Sequence, residues 1–224
     1  MKIRFKHLAK RTMTGIFLGA LFWISFIYLP SWFFSVVLLA ILGCIIAFEW
    51  TRLFDPKEKM FWLLMPFYPL FPFAIILWMN HSCYRPLLFV LFILVSALDT
   101  GAYLVGNLFG RHKIASFISP GKTWEGFLGG YLFALGGFWL ALWELNDPKP
   151  WWFVLGFTLI VCFTSLAGDL FESWLKRRAD IKDSGTLLPG HGGFLDRFDG
   201  ILFTVIFFYI FRDWLLAYFP SITC

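Results

Sequence analysis

Charge is what this chain has least of. Only 15% of its 224 residues are charged, against a hydrophobic share of 59%, where a soluble domain carries roughly a quarter charged residues. That balance excludes a soluble globular domain and leaves an integral membrane protein. Alternation of apolar and polar residues is also missing from the long runs, which excludes a transmembrane β-barrel and leaves helices. Cysteine is sparse too. Cys44, Cys83, Cys162 and Cys224 show no metal-ligand spacing. Cys44 and Cys162 fall in apolar runs and read as small core residues. A disulfide between Cys83 and Cys224, which share the expected outer side, is one candidate pairing. There is no internal repeat and no low-complexity tract. The net charge of +5 does not point to nucleic acid, because the basic residues of a membrane protein mostly set its orientation.

What the sequence has instead is a series of apolar runs long enough to cross a bilayer. Seven spanning segments are expected, at about 14–29, 32–48, 60–79, 86–106, 125–143, 151–172 and 198–219. The expected fold is all-α, a polytopic helical bundle with one polar loop before the last helix. It forms a single membrane domain over 1–224, with N-terminal helices in 1–85 and the chemistry-bearing helices and loops in 86–224. Pro66, Pro69 and Pro72 predict a kink or partial break in the third segment, since proline removes a helical hydrogen bond.

Lys2, Arg4, Lys6, Lys10 and Arg11 precede the first run, and no small-residue cleavage site follows it. An uncleaved anchor with a cytosolic N-terminus is expected. With that end inside, the inner loops hold Arg52, Lys57, Lys59, Arg111, Lys113, Lys122 and the basic residues from Lys176 to Arg197, and the outer loops hold only Arg85 and Lys149. This asymmetry follows the positive-inside rule. It predicts that residues 173–199 are cytosolic and that the C-terminus lies outside. Arg212 and Asp213, beside Trp214 and Tyr218, read as an interfacial anchor at the outer end of the last helix.

The charges crowd into one stretch, SWLKRRADIKDSGTLLPGHGGFLDRFD at Ser173–Asp199, held between two apolar runs. Asp169, Glu172, Ser173 and Lys176 are spaced i, i+3, i+4 and i+7, so they share one face of the sixth helix. Acids at the end of a spanning helix are costly unless they face a cavity, a cation or partners. The bland alternative pairs Glu172 with Lys176 and Asp169 with Ser173 along the helix. Asp196 and Asp199 stand i, i+3 at the start of the last helix. The helix dipole favours acids there, and two carboxylates on one face also suit a hard cation such as magnesium, which takes one or two carboxylates plus substrate phosphates. Between these helices, Gly185, Gly190, Gly192 and Gly193 with Pro189 make a loop whose amides can approach phosphate oxygens. Lys176, Arg177, Lys182 and Arg197 supply positive charge around it.

Two further stretches carry polar residues. Asp99 lies within the fourth segment, with Tyr103, Gly106 and Gly110 on its face, and an acid inside the membrane is a functional candidate. Gly106–Gly110 and Gly126–Gly130 each read G-x-x-x-G, a spacing for close helix packing rather than catalysis. The inner loop ISPGKTWEG supplies Ser119, Lys122, Thr123 and Glu125. Its donors can touch phosphate, or Thr123 can cap a helix; both readings stay open.

Ser173, Lys176–Arg177, Lys182–Asp183, Gly185, His191–Gly192–Gly193 and Asp196–Arg197–Phe198–Asp199 together resemble the signature of the phosphatidate cytidylyltransferases, the CDP-diacylglycerol synthases. DTGAY at Asp99–Tyr103 and SPGKTWEG at Ser119–Gly126 look like the bacterial members. The resemblance covers roughly the C-terminal 130 residues. The N-terminal segments match only in being hydrophobic, and the chain is shorter than the resemblance leads one to expect, by a helix or two at the front. The resemblance implies that CTP and phosphatidic acid give CDP-diacylglycerol and pyrophosphate, at the cytosolic face of a bacterial inner membrane. Asp169, Ser173, Lys176, Asp196 and Asp199 are the expected catalytic set. No covalent intermediate is needed, so Ser173 is not assigned as a nucleophile. Arg177, Lys182, Asp183, His191, Gly192, Gly193, Arg197, Asp99, Tyr103, Ser119, Lys122 and Thr123 are the expected substrate contacts. The resemblance points to Asp169 and Asp196 as ligands of Mg2+, with Asp199 beside them and K+ as a candidate second cation. CTP, phosphatidic acid and the lipid bilayer are the expected partners, nucleic acid is not, and a homodimer is a candidate assembly.

Three rivals frame this reading. A transporter would use Asp99 and Asp169 to line an ion path, but it leaves the concentration of charge in one loop unexplained. A CDP-alcohol phosphotransferase needs Asp-Gly-x-x-Ala-Arg, and Asp199–Gly200 is followed by ILFT. A CTP-dependent polyprenol or lipid kinase remains the closer alternative; it would leave CDP rather than pyrophosphate.

Overall fold

The computed structural model describes residues 19–188 and 192–219. Residues 19–27 are helical (α1), and the rest of the expected first segment, back to 14, lies outside the described residues. Five helices are each long and apolar enough to cross a membrane: α2 (Ser31–Leu53), α3 (Lys59–Asn80), α4 (Arg85–Phe109), α5 (Trp124–Glu144) and α6 (Trp151–Arg178). α7 (Leu195–Ile210) and α8 (Arg212–Tyr218) meet that test only as a pair, bent by 74°. Among the described residues there are thus five or six candidate spans, not seven. The chain is an integral membrane protein whose described residues are mostly helical, and one feature was not suggested by the composition. β1 (Lys113–Ala115) pairs antiparallel with β2 (Ser119–Thr123), so the SPGKT stretch is half of a small hairpin.

The chain divides into two compact units. One holds the described residues up to Phe73 together with Leu175–Phe198. Its core is built on the inward face of α2, where Phe34, Leu38, Ile45 and Trp50 are fully buried. Over Ile45–Trp50 the helix widens into a π turn, a distortion often found at functional sites. Glu49 and Trp50 within it are both fully buried. The Trp50 indole N–H donates to the Phe61 carbonyl at 3.2 Å, which gives the one polar atom of that ring a partner in the apolar interior. The expected break in the third segment is present. Residues Pro66–Leu70 leave regular α-helix, and Tyr68 has φ −153°, ψ 104°.

The other unit holds Ala74–Trp174 and the described residues from Asp199 onward. α4 and α5 approach closely at small residues, as the G-x-x-x-G spacing predicts. A Cβ on Gly126 would sit 3.2 Å from the Gly106 Cα, and one on Gly130 would sit 2.6 Å from the Leu98 carbonyl oxygen. The bend after α7 replaces the straight last helix expected over 198–219. Polar groups are held at the bend: the Tyr84 hydroxyl donates to Asp213 at 2.5 Å, and Arg212 lies over the rings of Trp78 and Tyr209. The Tyr84 pKa is raised above its usual value, chiefly because that bond to the Asp213 carboxylate needs the phenol proton. Arg212 and Asp213 also pair with each other at 3.4 Å. Cys162 is buried and Cys44 half-buried, both as free thiols. Cys83 is disulfide-bonded; Cys224, its expected partner, lies outside the described residues.

Candidate active site

In the unit containing α4, α5 and α6, a cavity of about 210 Å³ is lined by Asp99, Tyr103, Lys122, Thr123, Phe127 and Asp169, among others. Local structure explains why each polar group is there. Thr123 caps α5: its Oγ1 accepts from the Gly126 amide at 3.1 Å, filling one of the donors that a helix start leaves unpaired. The capping alternative left open by the sequence is therefore realised, while Thr123 also lines the cavity. Glu125, in the first turn, accepts from the amides of Arg111 at 3.0 Å and His112 at 3.1 Å, and pairs with His112 Nδ1 at 2.5 Å. These contacts fix the hairpin to α5. Lys122, at the end of β2, is carried by this frame, and its ammonium donates to Asp169 on α6.

α6 and α7 touch backbone to backbone beside Asp169. A Cβ on Gly168 would meet the Asp199 carbonyl oxygen at 2.4 Å, and one on Gly200 would fall 3.0 Å from Asp169 Oδ1. The approach places Asp199 in an acidic neighbourhood. The charges that act on it most strongly are those of Asp169, Glu172, Lys122 and Asp99. Four carboxylates therefore share this region with the ammonium of Lys122. Two like charges about 4 Å apart repel by roughly 1 kcal/mol in water and about 4 kcal/mol near a protein surface, so the excess of negative charge favours a further cation. Among the described residues, no three His, Cys, Asp or Glu side chains form a complete metal cage. Magnesium does not require one: it is commonly held by one or two carboxylates, with waters and phosphate oxygens filling its shell. Asp169 and Asp199 are a donor set of that kind.

In the other unit, the glycine-containing loop is organised around two carboxylates. Asp196 receives the ammonium of Lys176 at 2.7 Å, the Gly193 amide at 2.7 Å, and the Ser184 amide and hydroxyl at 3.1 and 3.0 Å. The Lys176 and Asp196 side chains are only 12% and 7% exposed, so this is a buried ion pair and not a lysine extended toward solvent. Glu49 receives the amides of Phe194 and Leu195 at 2.7 and 2.8 Å and the Ser184 hydroxyl at 3.1 Å. Gly192 has φ +79°, and a Cβ there would sit 2.5 Å from Asp196 Oδ2. A Cβ on Gly193 would sit 2.5 Å from the Glu49 carboxyl carbon. The glycines thus give these two carboxylates room to reach the loop backbone. The amides of Ser184, Gly193, Phe194 and Leu195 are turned toward the two acids.

The expected site residues therefore fall into two groups. Asp99, Tyr103, Lys122, Thr123 and Asp169 come together around one cavity, with Asp199 close by. Lys176, Gly193 and Asp196 come together in the other unit, joined by Ser184, which the sequence reading did not single out. Ser119 opens β2, and Ser173 lies on α6, one turn beyond Asp169. Lys182, Asp183 and Arg197 are exposed, while the Arg177 guanidinium donates to the Ile181 carbonyl at 3.2 Å. His191 lies outside the described residues. Sequence reasoning missed Glu49. The signal was available: it is a single acid at the end of an apolar run, and such acids mark function or a buried partner.

Comparison with known proteins bears on the whole arrangement. A family model described as "Cytidylyltransferase family" matches residues 57–215. The chain is 46% identical to a phosphatidate cytidylyltransferase of Staphylococcus aureus over 114 residues, which is 51% of this chain and 44% of that protein. It is 39% identical to one from Haemophilus influenzae over 180 residues, covering 72% of this chain and 62% of that protein. With one from Bacillus subtilis it shares 45% identity over 117 residues, 52% of this chain and 44% of the relative. The chain thus matches only about half the length of these curated relatives.

Proposed function

The chain belongs to the cytidylyltransferase family, and we propose that it is a phosphatidate cytidylyltransferase, converting CTP and phosphatidic acid to CDP-diacylglycerol and pyrophosphate. The observation that carries this reading is the cavity beside Asp169, Asp199 and Lys122, where carboxylates outnumber the ammonium facing them. In the reaction a phosphate oxygen of the lipid attacks the α-phosphorus of CTP, and the bond to the β-phosphate oxygen breaks. Two anions must meet, so catalysis rests on positioning and on offsetting charge. Asp169 and Asp199 are the proposed holders of Mg2+, which when bound supplies positive charge to the triphosphate; K+ is a candidate second cation. Lys122, now on Asp169, is close enough to the same cavity to take a phosphate. Lys176, Arg177, Lys182 and Arg197 supply further positive charge. Asp196, engaged by Lys176, Ser184 and Gly193, serves in this reading to shape the segment from Lys176 to Arg197 that carries those cations. We place the loop on the cytosolic side of a bacterial inner membrane, where CTP arrives from water and the lipid from the bilayer.

Purified protein in detergent, given CTP and phosphatidic acid with Mg2+, is expected to release pyrophosphate only when both substrates are present. Absence of pyrophosphate with CDP accumulating would support the lipid-kinase alternative and overturn this one.

A further inference from the structure

We infer that Glu49 is a positioning residue for the reaction proposed above, an inference that rests on that reading: it anchors the start of α7 and the loop before it, and so sets where Asp196 and Lys176 stand. Glu49 lies far from the signature in sequence, 145 residues before Phe194, and it is fully buried. The first amides of a helix have no intrahelical acceptor. They are usually satisfied by a Ser, Thr, Asp or Asn at the helix start itself. At α7 the acceptor is brought in from α2 instead. Glu49 Oε1 takes the Phe194 amide, and Oε2 takes the Leu195 amide and the Ser184 hydroxyl. A carboxylate there also meets the positive end of the helix dipole.

The surrounding sequence is fitted to this contact. A Cβ on Gly185 would lie 3.0 Å from the Glu49 Cγ, and a Cβ on Gly193 would lie 2.5 Å from its Cδ. Two glycines of the signature loop therefore border on Glu49. The π turn over Ile45–Trp50 shifts the facing of residues along α2 by comparison with a regular helix, and Glu49 is inside it. Contact then passes onward: the Ser184 oxygen lies within hydrogen-bond distance of Glu49 and of Asp196 at 3.1 and 3.0 Å, and Asp196 holds Lys176 at 2.7 Å. Lys182 and Asp183 directly precede Ser184 in the chain. The groups Glu49 holds are the Ser184 hydroxyl and the Phe194 and Leu195 amides, so the effect inferred for it on turnover is exerted through the loop.

The test uses the full-length protein in detergent with Glu49→Gln and Glu49→Asp. Gln keeps the length but turns an NH2 toward a group that already donates. Hydrogen exchange of peptides spanning 192–198 should speed up in Glu49→Gln, while peptides in α4 and α5 stay as in wild type. Turnover with CTP and phosphatidic acid should fall by at least ~30-fold with KM for CTP within ~3-fold, because misplacement by about 1 Å costs on the order of 100-fold in rate. Glu49→Asp, which keeps the charge, should recover part of the loss. Exchange unchanged in Glu49→Gln would show that the anchor is not made. Faster exchange with turnover within ~3-fold of wild type, a difference too small for lost positioning, would show that loop order does not serve the chemistry. Either result overturns the inference. Wild-type protein is assayed in parallel: if it releases no pyrophosphate, the proposed reaction fails, and the inference that rests on it falls too, whatever the exchange data show about the anchor.

Discussion

Replacing Gly168 by alanine tests the contact that brings Asp169 and Asp199 into one neighbourhood. The new Cβ would lie 2.4 Å from the Asp199 carbonyl oxygen and 3.0 Å from the Phe203 Cβ, where ordinary contact starts at 3.4 Å. The carbonyl belongs to the backbone of α7, so no side chain can swing away to relieve it. α6 and α7 must separate by about 1 Å, and overpacking of this kind costs about 1–3 kcal/mol. Alanine in a helix interior returns about 0.5–1 kcal/mol relative to glycine. The net loss should be about 0–2.5 kcal/mol, a fall in Tm of up to about 10 °C for a chain of this size. The same displacement at a site where charge must be placed to within an ångström should lower kcat by about 100-fold. Gly156→Ala on the same helix is the control. Nothing lies within 4 Å of its Cβ position, so it should be neutral or stabilising and fully active. Thermal unfolding in detergent and turnover of α-labelled CTP are the assays. Gly168→Ala that melts and turns over like Gly156→Ala would refute the argument.

Asp169→Asn and Asp199→Asn should each lower turnover by at least ~100-fold, the scale of losing a main electrostatic stabiliser. If one Mg2+ serves both, the double variant should be little worse than either single, and wild-type activity should vanish in excess EDTA. Lys176→Met leaves the Asp196 carboxylate buried without its ammonium, and breaking a buried pair in this way costs about 3–5 kcal/mol. Adding Asp196→Asn should restore part of the lost Tm; further loss would show that the pair is not coupled. The distribution of basic residues between alternate loops predicts a cytosolic 173–199 loop. A single cysteine introduced at Lys182, in a background lacking the four natural ones, should resist an impermeant maleimide in intact cells and react in inverted vesicles; the opposite pattern would reverse the topology.

The spans from Ser31 onward were legible because a helix that must bury its backbone in lipid has few other solutions. The segment expected at 86–106 is α4 at Arg85–Phe109, and that at 125–143 is α5 at Trp124–Glu144. The proline break and the glycine packing were readable for the same reason, since both follow from backbone geometry. The last helix was not. Its apolar run continues through Phe211, and only the tertiary partners of Arg212 and Asp213, Trp78 and Tyr84, mark where it bends. The hairpin at Lys113–Thr123 was missed because SPGKT has no alternating pattern. At the site, spacing along α6 led to Asp169, but it offered Ser173 as a helical partner; the structure gives it Lys122, 47 residues away in sequence. Glu49 showed in the sequence only as a lone acid ending an apolar run; its partners could not be read from any local pattern, since the groups it holds lie at Ser184, Phe194 and Leu195.

The central claim is that the lipid phosphate attacks the α-phosphorus of CTP. Wild-type protein should be incubated with phosphatidic acid, Mg2+ and CTP labelled in either the α- or the γ-phosphate, and the extracted lipid counted. The account predicts that α-label enters the lipid in equal amount to the pyrophosphate released, and that γ-label stays in the aqueous phase. Entry of γ-label into the lipid, with CDP left behind, would contradict it.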